Sequence, residues 1–453
     1  MSVVGAEVLE RDGGDTPSAA PLRDWNVSTR IGFRFCVAYF GLFCVLFAQI
    51  LFAFTGPIGN HLPDTAVLWQ MRAVEPITVW VGEHIFGVDA ALRMNGSGDQ
   101  AGIWMLILCI LLVAIVITAG WSVLDRRRTD YATFGKWFVV FIRLCLGGQM
   151  LWYGFAKAIP NQMPYPALTT MLQPYGEQSM SEVLWNQVGA APAYQVLLGI
   201  AEVLGGLLLF LPRTATVGAM LSLVSMAQVF VLNMTFDVPV KILSFHLLLL
   251  SLIVLAPQAR RLANVLVLER SSEPASQPPL FHSGRANRIA AVVQVALGLW
   301  VSAGALEVAS DSWHEYGYGA PKPPLYGIWN VTEFSIDGHP IPPLTTDRTR
   351  WQRVVFDTYG TSYQRMDDSL RPAVADVDTT GHTMTFTAPP TAPDAEPHRF
   401  ATFTFEQPAP DRLMLRGELE GRPVTLTLQQ QDLDDFPLRG SGFHWVQNEP
   451  SLG

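Results

Sequence analysis

Arg143, Met150 and Lys157 recur every seven residues inside one apolar run, which places them on one face of a helix and turns two cations toward the same side. Glu202 stands in the middle of another apolar run beside Gly205 and Gly206, and Asp237 and Lys241 are four residues apart where a further run begins, a spacing that lets them pair along one helix. Ionisable groups at membrane depth are expensive, so they face the interior of a helical bundle, pair with each other or line a path to water. The candidate site is therefore a polar cluster of Arg143, Lys157, Glu202, Asp237 and Lys241. Lys157, Asp237 and Lys241 are expected in the outer half of the bundle, with Arg143 and Glu202 deeper and Arg143 as the counter-charge of Glu202. Two blander roles compete: the charges pair only to fix the helix arrangement, or Lys157 snorkels to the interface. His246 falls about 140° round the helix from Lys241 and reads as a packed histidine with one hydrogen bond.

Other chemistries find no pattern. Cys36, Cys44, Cys109 and Cys145 all fall within apolar runs, with no Cys-x-x-Cys pair, and Cys36 and Cys44 are separated by about 12 Å of helical rise, too far for a disulfide. They read as small buried hydrophobes. His339, His382, His398 and His444 lack metal-ligand spacing, and no metal site is expected; Asp432, Asp434 and Asp435 read as a solvated acidic turn. Neither a haem pattern, an iron–sulfur cysteine cluster nor a dinucleotide fingerprint is present in the sequence, and no catalytic residue set emerges.

The elements that must hold the charged groups follow from hydropathy. The 453 residues are 49% hydrophobic and only 15% charged, and the apolar residues gather in runs near the length that crosses a hydrocarbon core of roughly 30 Å. Spans are predicted at about Ile31 to Phe54, Ala101 to Leu124, Lys136 to Ala158, Ala193 to Leu211, Thr214 to Asn233, Val238 to Leu255 and, as a short final run, Ile289 to Leu306. Asp99 or Ser97 is placed to cap the second span. The fifth and sixth form a tight hairpin through Met234 to Asp237. Between the first two spans, Leu68 to Phe86 reads as two short interfacial pieces, broken by Pro76 and Gly82. Residues 1–30 are a polar N-terminal segment, 31–270 the bundle, 271–288 a linker with a Ser/Pro-rich stretch, and 289–306 the last span.

Arginine placement orients the bundle. With odd-numbered spans running outward, the cytoplasmic segments hold Arg11, Arg23, Arg30, Arg126, Arg127, Arg128, Arg213, Arg260, Arg261, Arg270, Arg285 and Arg288, whereas the outer connections before the tail hold little beyond Arg72 and Arg93 and the helix-end Lys157 and Lys241. A bacterial inner-membrane protein with a cytoplasmic N-terminus and an extracytoplasmic tail is the resulting expectation; six spans would leave the tail inside. From Glu307 onward 21 acidic residues face 11 basic ones, which argues against nucleic acid as a partner, since phosphate binding draws on clustered Lys and Arg.

From Leu325 short alternating runs take over: Ile328 to Phe334, Trp351 to Phe356, Thr383 to Thr387, Phe400 to Phe405, Arg412 to Arg416 and Val424 to Leu428. Alternation of Val, Thr and Phe with polar residues predicts antiparallel strands. An extracytoplasmic β-barrel or sandwich of about eight strands over 325–447 follows, the barrel favoured. Gly327-Ile-Trp329 is similar to the Gly-x-Trp opening of lipocalin-like barrels.

Residues 134–267 resemble the DoxX-like membrane proteins, through Arg143-Leu-Cys-Leu-Gly147, Tyr153-Gly-Phe-Ala-Lys157, Glu202-Val-Leu-Gly-Gly206, Pro212-Arg213 and Asp237-Val-Pro-Val-Lys241. The resemblance implies a four-helix core with its arginine, lysine and glutamate in the family's positions. Members of that group are linked to quinone-coupled oxidation of sulfur compounds and to thiol-redox membrane complexes, so it also implies a redox-associated subunit working with quinone, a small sulfur substrate or a redox partner protein. A non-enzymatic scaffold whose β domain binds a lipid, peptide or partner protein is the alternative.

Overall fold

Bilayer thickness selects the first layer of structure. The computed structural model describes residues 25–272, 279–390 and 398–448, and within them seven helices are long and apolar enough to cross a membrane. The segment before Trp25, with Arg11 and Arg23, and the middle of the Ser/Pro-rich linker lie outside the described residues. In chain order the helices are α1 (Val27–Leu46), α2 (Trp69–Val81), α3 (Ala101–Leu124), α4 (Ala132–Ala158), α5 (Met180–Gly189), α6 (Pro192–Phe210), α7 (Ala215–Thr235), α8 (Lys241–Leu255), α9 (Ala259–Leu266) and α10 (Gly284–Glu315). The sixth span joins α8 to α9 as Lys241–Leu266, and the short helices α2 and α5 are not spans.

Several features differ from the sequence reading. The first span ends at Leu46 rather than Phe54, because Gln49 takes a left-handed conformation and Phe52–His61 winds as tight 3₁₀ turns against α10. Gly56 lets it lie there: a Cβ on that residue would stand 2.4 Å from Trp300 Nε1. The final run is not short, since α10 carries its polar flanks in one 32-residue helix. Trp69–Val81 is a single helix that passes through Pro76 and ends in a π turn over Gly82–Phe86; it exposes Trp69, Ile77 and Trp80 while burying Met71. Asp99 does not cap the second span. Its carboxylate accepts from Lys241 N at 2.9 Å and Ile242 N at 3.0 Å, capping α8 instead.

At one end of the bundle, Arg34 of α1 is buried and donates to Tyr131 Oη, Ser122 Oγ and the Asp125 carbonyl at 2.9, 3.0 and 2.9 Å. Tyr131 Oη in turn donates to Asp125 Oδ2 at 2.9 Å, which holds that carboxyl below its usual range. These contacts fasten α1 to the turn between α3 and α4.

The tail is a closed antiparallel barrel. Its strands are β1 (Gly327–Ile336), β2 (His339–Pro340), β3 (Trp351–Asp357), β4 (Gly360–Arg365), β5 (Leu370–Asp378), β6 (Thr383–Ala388), β7 (His398–Ala409), β8 (Arg412–Leu419) and β9 (Arg422–Gln430). Eight of them form the ring: β1 pairs with β3, β3 to β9 pair in chain order, and β1 closes on β9 from Trp329 opposite Gln430 to Ile336 opposite Val424; the two-residue β2 only folds back antiparallel on the end of β1. Asp337-Gly338 and Glu420-Gly421, with positive φ at each residue, make the two-residue turns that suit the sheet twist. Inward side chains, among them Trp329, Trp351, Phe356, Phe386, Phe403 and Leu413, fill the axis, as expected of so narrow a barrel.

The barrel rests on the bundle through its outer wall. Ile328 and Val355 are wholly buried against Leu168 in the connection between α4 and α5. Asp357 Oδ2 accepts from Leu168 N at 2.7 Å, and burial lifts its carboxyl above the usual range despite that bond. Tyr359 Oη donates to the Tyr316 carbonyl at 3.1 Å beyond α10, and Tyr318 Oη donates to the Gly189 carbonyl at the end of α5.

Candidate functional site

Helix register decides which charges meet. Gly147 lies against Phe210, Gly154 against Val203 and Gly199 against Ala158, so α4 and α6 run antiparallel with backbones in close approach. That register brings Glu202 to the level of Gly154 and Lys157. Lys157 Nζ lies 2.8 Å from Glu202 Oε2, and the two residues are 5% and 2% exposed. The expected Arg143–Glu202 pair is not formed: Arg143 is four residues beyond Gly147 toward the α4 N-terminus, past the end of α6, and its Nη2 donates to Gln294 Oε1 of α10 instead. Lys157 does not snorkel; its head remains inside, 5.7 Å from the centre of the Tyr153 ring.

Above this pair, at the barrel end, a cavity of about 220 Å³ opens among α4, α6, α7 and α8, roofed by Leu184, Trp185 and Val188 of α5. Ser179 and Glu182 form a capping box that starts α5 and holds the roof in place. The walls are largely Leu, Val and Met, with Lys157, Glu202, Tyr153, Gln162, Ser225, Gln228, Asn233 and Ser244 as polar points. Asn233 Nδ2 donates to Ser244 Oγ at 3.0 Å and the Val240 carbonyl at 3.3 Å. Tyr153 Oη donates to Gln49 Oε1 at 2.9 Å, and Gln149 Nε2 to the Gln49 carbonyl at 2.9 Å, so the left-handed residue after α1 is tied to the helix that carries Lys157. An ammonium has three N–H donors. One is used on Glu202 and one, at 3.5 Å, on the Tyr153 carbonyl, leaving one for an acceptor in the cavity.

The remaining predicted residues form separate sites. Asp237 and Lys241 pair as expected at 2.8 Å, but the Asp237 side chain is 86% exposed and Lys241 also approaches Asp99 at 3.7 Å. This is an ion cluster at the α7–α8 turn. His246 is packed, yet it makes two hydrogen bonds rather than one: Nδ1 with the Ile242 carbonyl at 2.7 Å and Nε2 with Tyr39 Oη at 2.8 Å, stacked on Phe43. The predicted cluster of five thus divides into Lys157–Glu202, Asp237–Lys241–Asp99 and Arg143–Gln294. Sequence reading overlooked Gln294 and Arg34, both signalled by a strongly polar residue within an apolar run, and Asn233 and Ser244, which carry no such signal. His339, His382, His398 and His444 are exposed, and the described residues contain no group of three or more His, Cys, Asp or Glu that could hold a metal.

Among proteins of known sequence, a Bacillus subtilis (strain 168) protein described as uncharacterized protein YwoB is 28% identical over 139 residues, which are 31% of this chain and 83% of that protein. No family model matches the chain, and no solved structure matches it.

Proposed function

We propose that this multi-pass membrane protein binds a quinone-type ligand in the cavity beside Lys157 and Glu202, acting as a DoxX-like, redox-associated subunit. The observation that carries the reading is the buried ion pair in a wall made largely of Leu, Val and Met. It leaves one ammonium N–H for a carbonyl oxygen and surrounds it with side chains suited to an apolar ring. A cavity of about 220 Å³ is small for a ligand site and suits a single ring with the start of its tail. The resemblance of residues 134–267 to DoxX-like proteins supplies the redox context. The scaffold reading gains less support, because the barrel axis is occupied by aromatic side chains.

The ligand is tested with a soluble short-chain benzoquinone. Saturable quenching of Trp185, isolated by subtracting the signal of Trp185→Phe, is expected in the native protein and absent from a Lys157→Met/Glu202→Leu double variant. Quenching that rises without saturation, or persists in that double variant, would remove quinone from this cavity.

The proposed setting is the bacterial inner membrane, with the N-terminus in the cytoplasm and the barrel outside. Arg126, Arg127 and Arg128 follow α3, Arg213 follows α6, Arg260 and Arg261 lie in α9, and Arg285 and Arg288 open α10, all at helix ends opposite the barrel. A reporter that matures only outside the cytoplasm should be active when fused after Gly317 and silent after Gln258. The reverse pattern would invert the molecule.

A further inference from the structure

We propose that a second cavity, at the arginine-rich end of the bundle, binds one anionic phospholipid of the bilayer, with the headgroup oxygens on Arg143. The cavity measures about 880 Å³ and lies among α1, α4, the end of α8 and α10. That volume is within the range of cavities that enclose a substantial ligand. Arg143 and Gln294 form part of its wall. Arg143 is 2% exposed, and after its Nη2 has donated to Gln294 its Nε and Nη1 have no partner among the described residues. Among the described residues no carboxylate pairs with it. A buried cation without a counter-charge is strongly unfavourable, and a guanidinium with free donors is suited to an oxyanion.

The rest of the lining decides what carries that oxyanion. Phe33, Phe138, Val139, Val140 and Ile253 present hydrocarbon to the space, so a small hydrated anion would lose its water and leave the walls unfilled. A lipid satisfies both demands. Lys136 also lines the cavity and lies seven residues before Arg143 on the same helix face, about 10 Å nearer the arginine-rich end. Its one hydrogen bond among the described residues, to the Pro279 carbonyl at 3.4 Å, leaves donors for the outer part of a headgroup. The site is independent of the one beside Lys157, which faces the opposite end of the bundle.

Native mass spectrometry of the detergent-purified full chain, titrated separately with phosphatidylglycerol, phosphatidylcholine and inorganic phosphate, tests the proposal. Phosphatidylglycerol should be retained about tenfold more tightly than phosphatidylcholine: both offer the phosphodiester oxyanion to Arg143, but phosphatidylcholine also brings a quaternary ammonium into a cavity lined by Lys136 and Arg143. Arg143→Met should erase that preference, and Arg416→Met, at an exposed arginine of β8 in the barrel, should leave it intact. Should Arg143→Met fail to fold, Ala291→Trp, which fills the cavity from α10 and keeps the arginine, should abolish lipid retention in folded protein. Equal retention of the two lipids, equal protection by inorganic phosphate, or unchanged binding in a folded Arg143→Met or Ala291→Trp variant would each overturn it.

Discussion

Replacing Lys157 by Met is expected to destabilise the bundle by about 3–5 kcal/mol, because it leaves the Glu202 carboxylate buried and without its cation. The magnitude rests on geometry: the pair is 2.8 Å apart, with the lysine 5% and the glutamate 2% exposed, so solvent screening does not soften the loss. Glu202→Leu should cost a similar amount by stranding the ammonium. The double variant Lys157→Met/Glu202→Leu should be far more stable than the sum of the two losses predicts, since exchanging a buried ion pair for apolar groups of similar volume is often neutral or favourable. Thermal unfolding of the four proteins in one detergent, followed by tryptophan fluorescence, gives the coupling. Additive losses would mean that the two charges do not depend on each other. The same double variant separates structure from ligand binding: folded protein that no longer takes up the quinone probe assigns the cavity a function beyond packing.

The seven spans were legible in the sequence because a bilayer demands a long, nearly uncharged run of each helix whatever its neighbours. Which charges meet was not, because that depends on the register of two packed helices. Arg143, Lys157 and Glu202 all announce themselves as ionisable groups at depth. Only the glycine contacts between α4 and α6 show that Glu202 is level with Lys157 and that Arg143 lies beyond the end of α6. Asp99 illustrates the same limit: its position before α3 suggests a local cap, while the α7–α8 turn, 142 residues away, takes its carboxylate. In the barrel, Thr, Val and Phe alternation marks β1, β3 and β6 to β9. The polar strand Gly360–Arg365 and the strand Leu370–Asp378, with Pro372 and outward charged residues, lack that contrast and were not among the predicted runs. Tertiary neighbours make them strands.

Gly199→Ala is expected to lose most of its folded protein, and Gly199→Leu all of it. A Cβ on Gly199 would stand 2.1 Å from Ala158 N and 2.6 Å from the Lys157 carbonyl carbon. Both are backbone atoms of α4, so no side chain can turn aside and α6 itself must retreat. Alanine would otherwise favour the helix by up to about 1 kcal/mol over glycine, so any loss measures the clash between helices. Overpacking commonly costs about 1–3 kcal/mol, and contact with rigid backbone puts this position at or above the upper end. Two controls bracket the result. A Cβ on Gly205 meets Ser222 Oγ at 3.1 Å, a movable atom, and Gly120 has nothing within 4 Å; alanine at the first should be tolerated better, and at the second without steric penalty. Fluorescence-detected size-exclusion chromatography of tagged variants reports the folded fraction. The retreat of α6 also separates Glu202, one turn further along, from Lys157. In whatever Gly199→Ala protein remains folded, the coupling between Lys157→Met and Glu202→Leu should therefore shrink. A coupling as large as that of the native protein would show that the close helix approach does not position the pair.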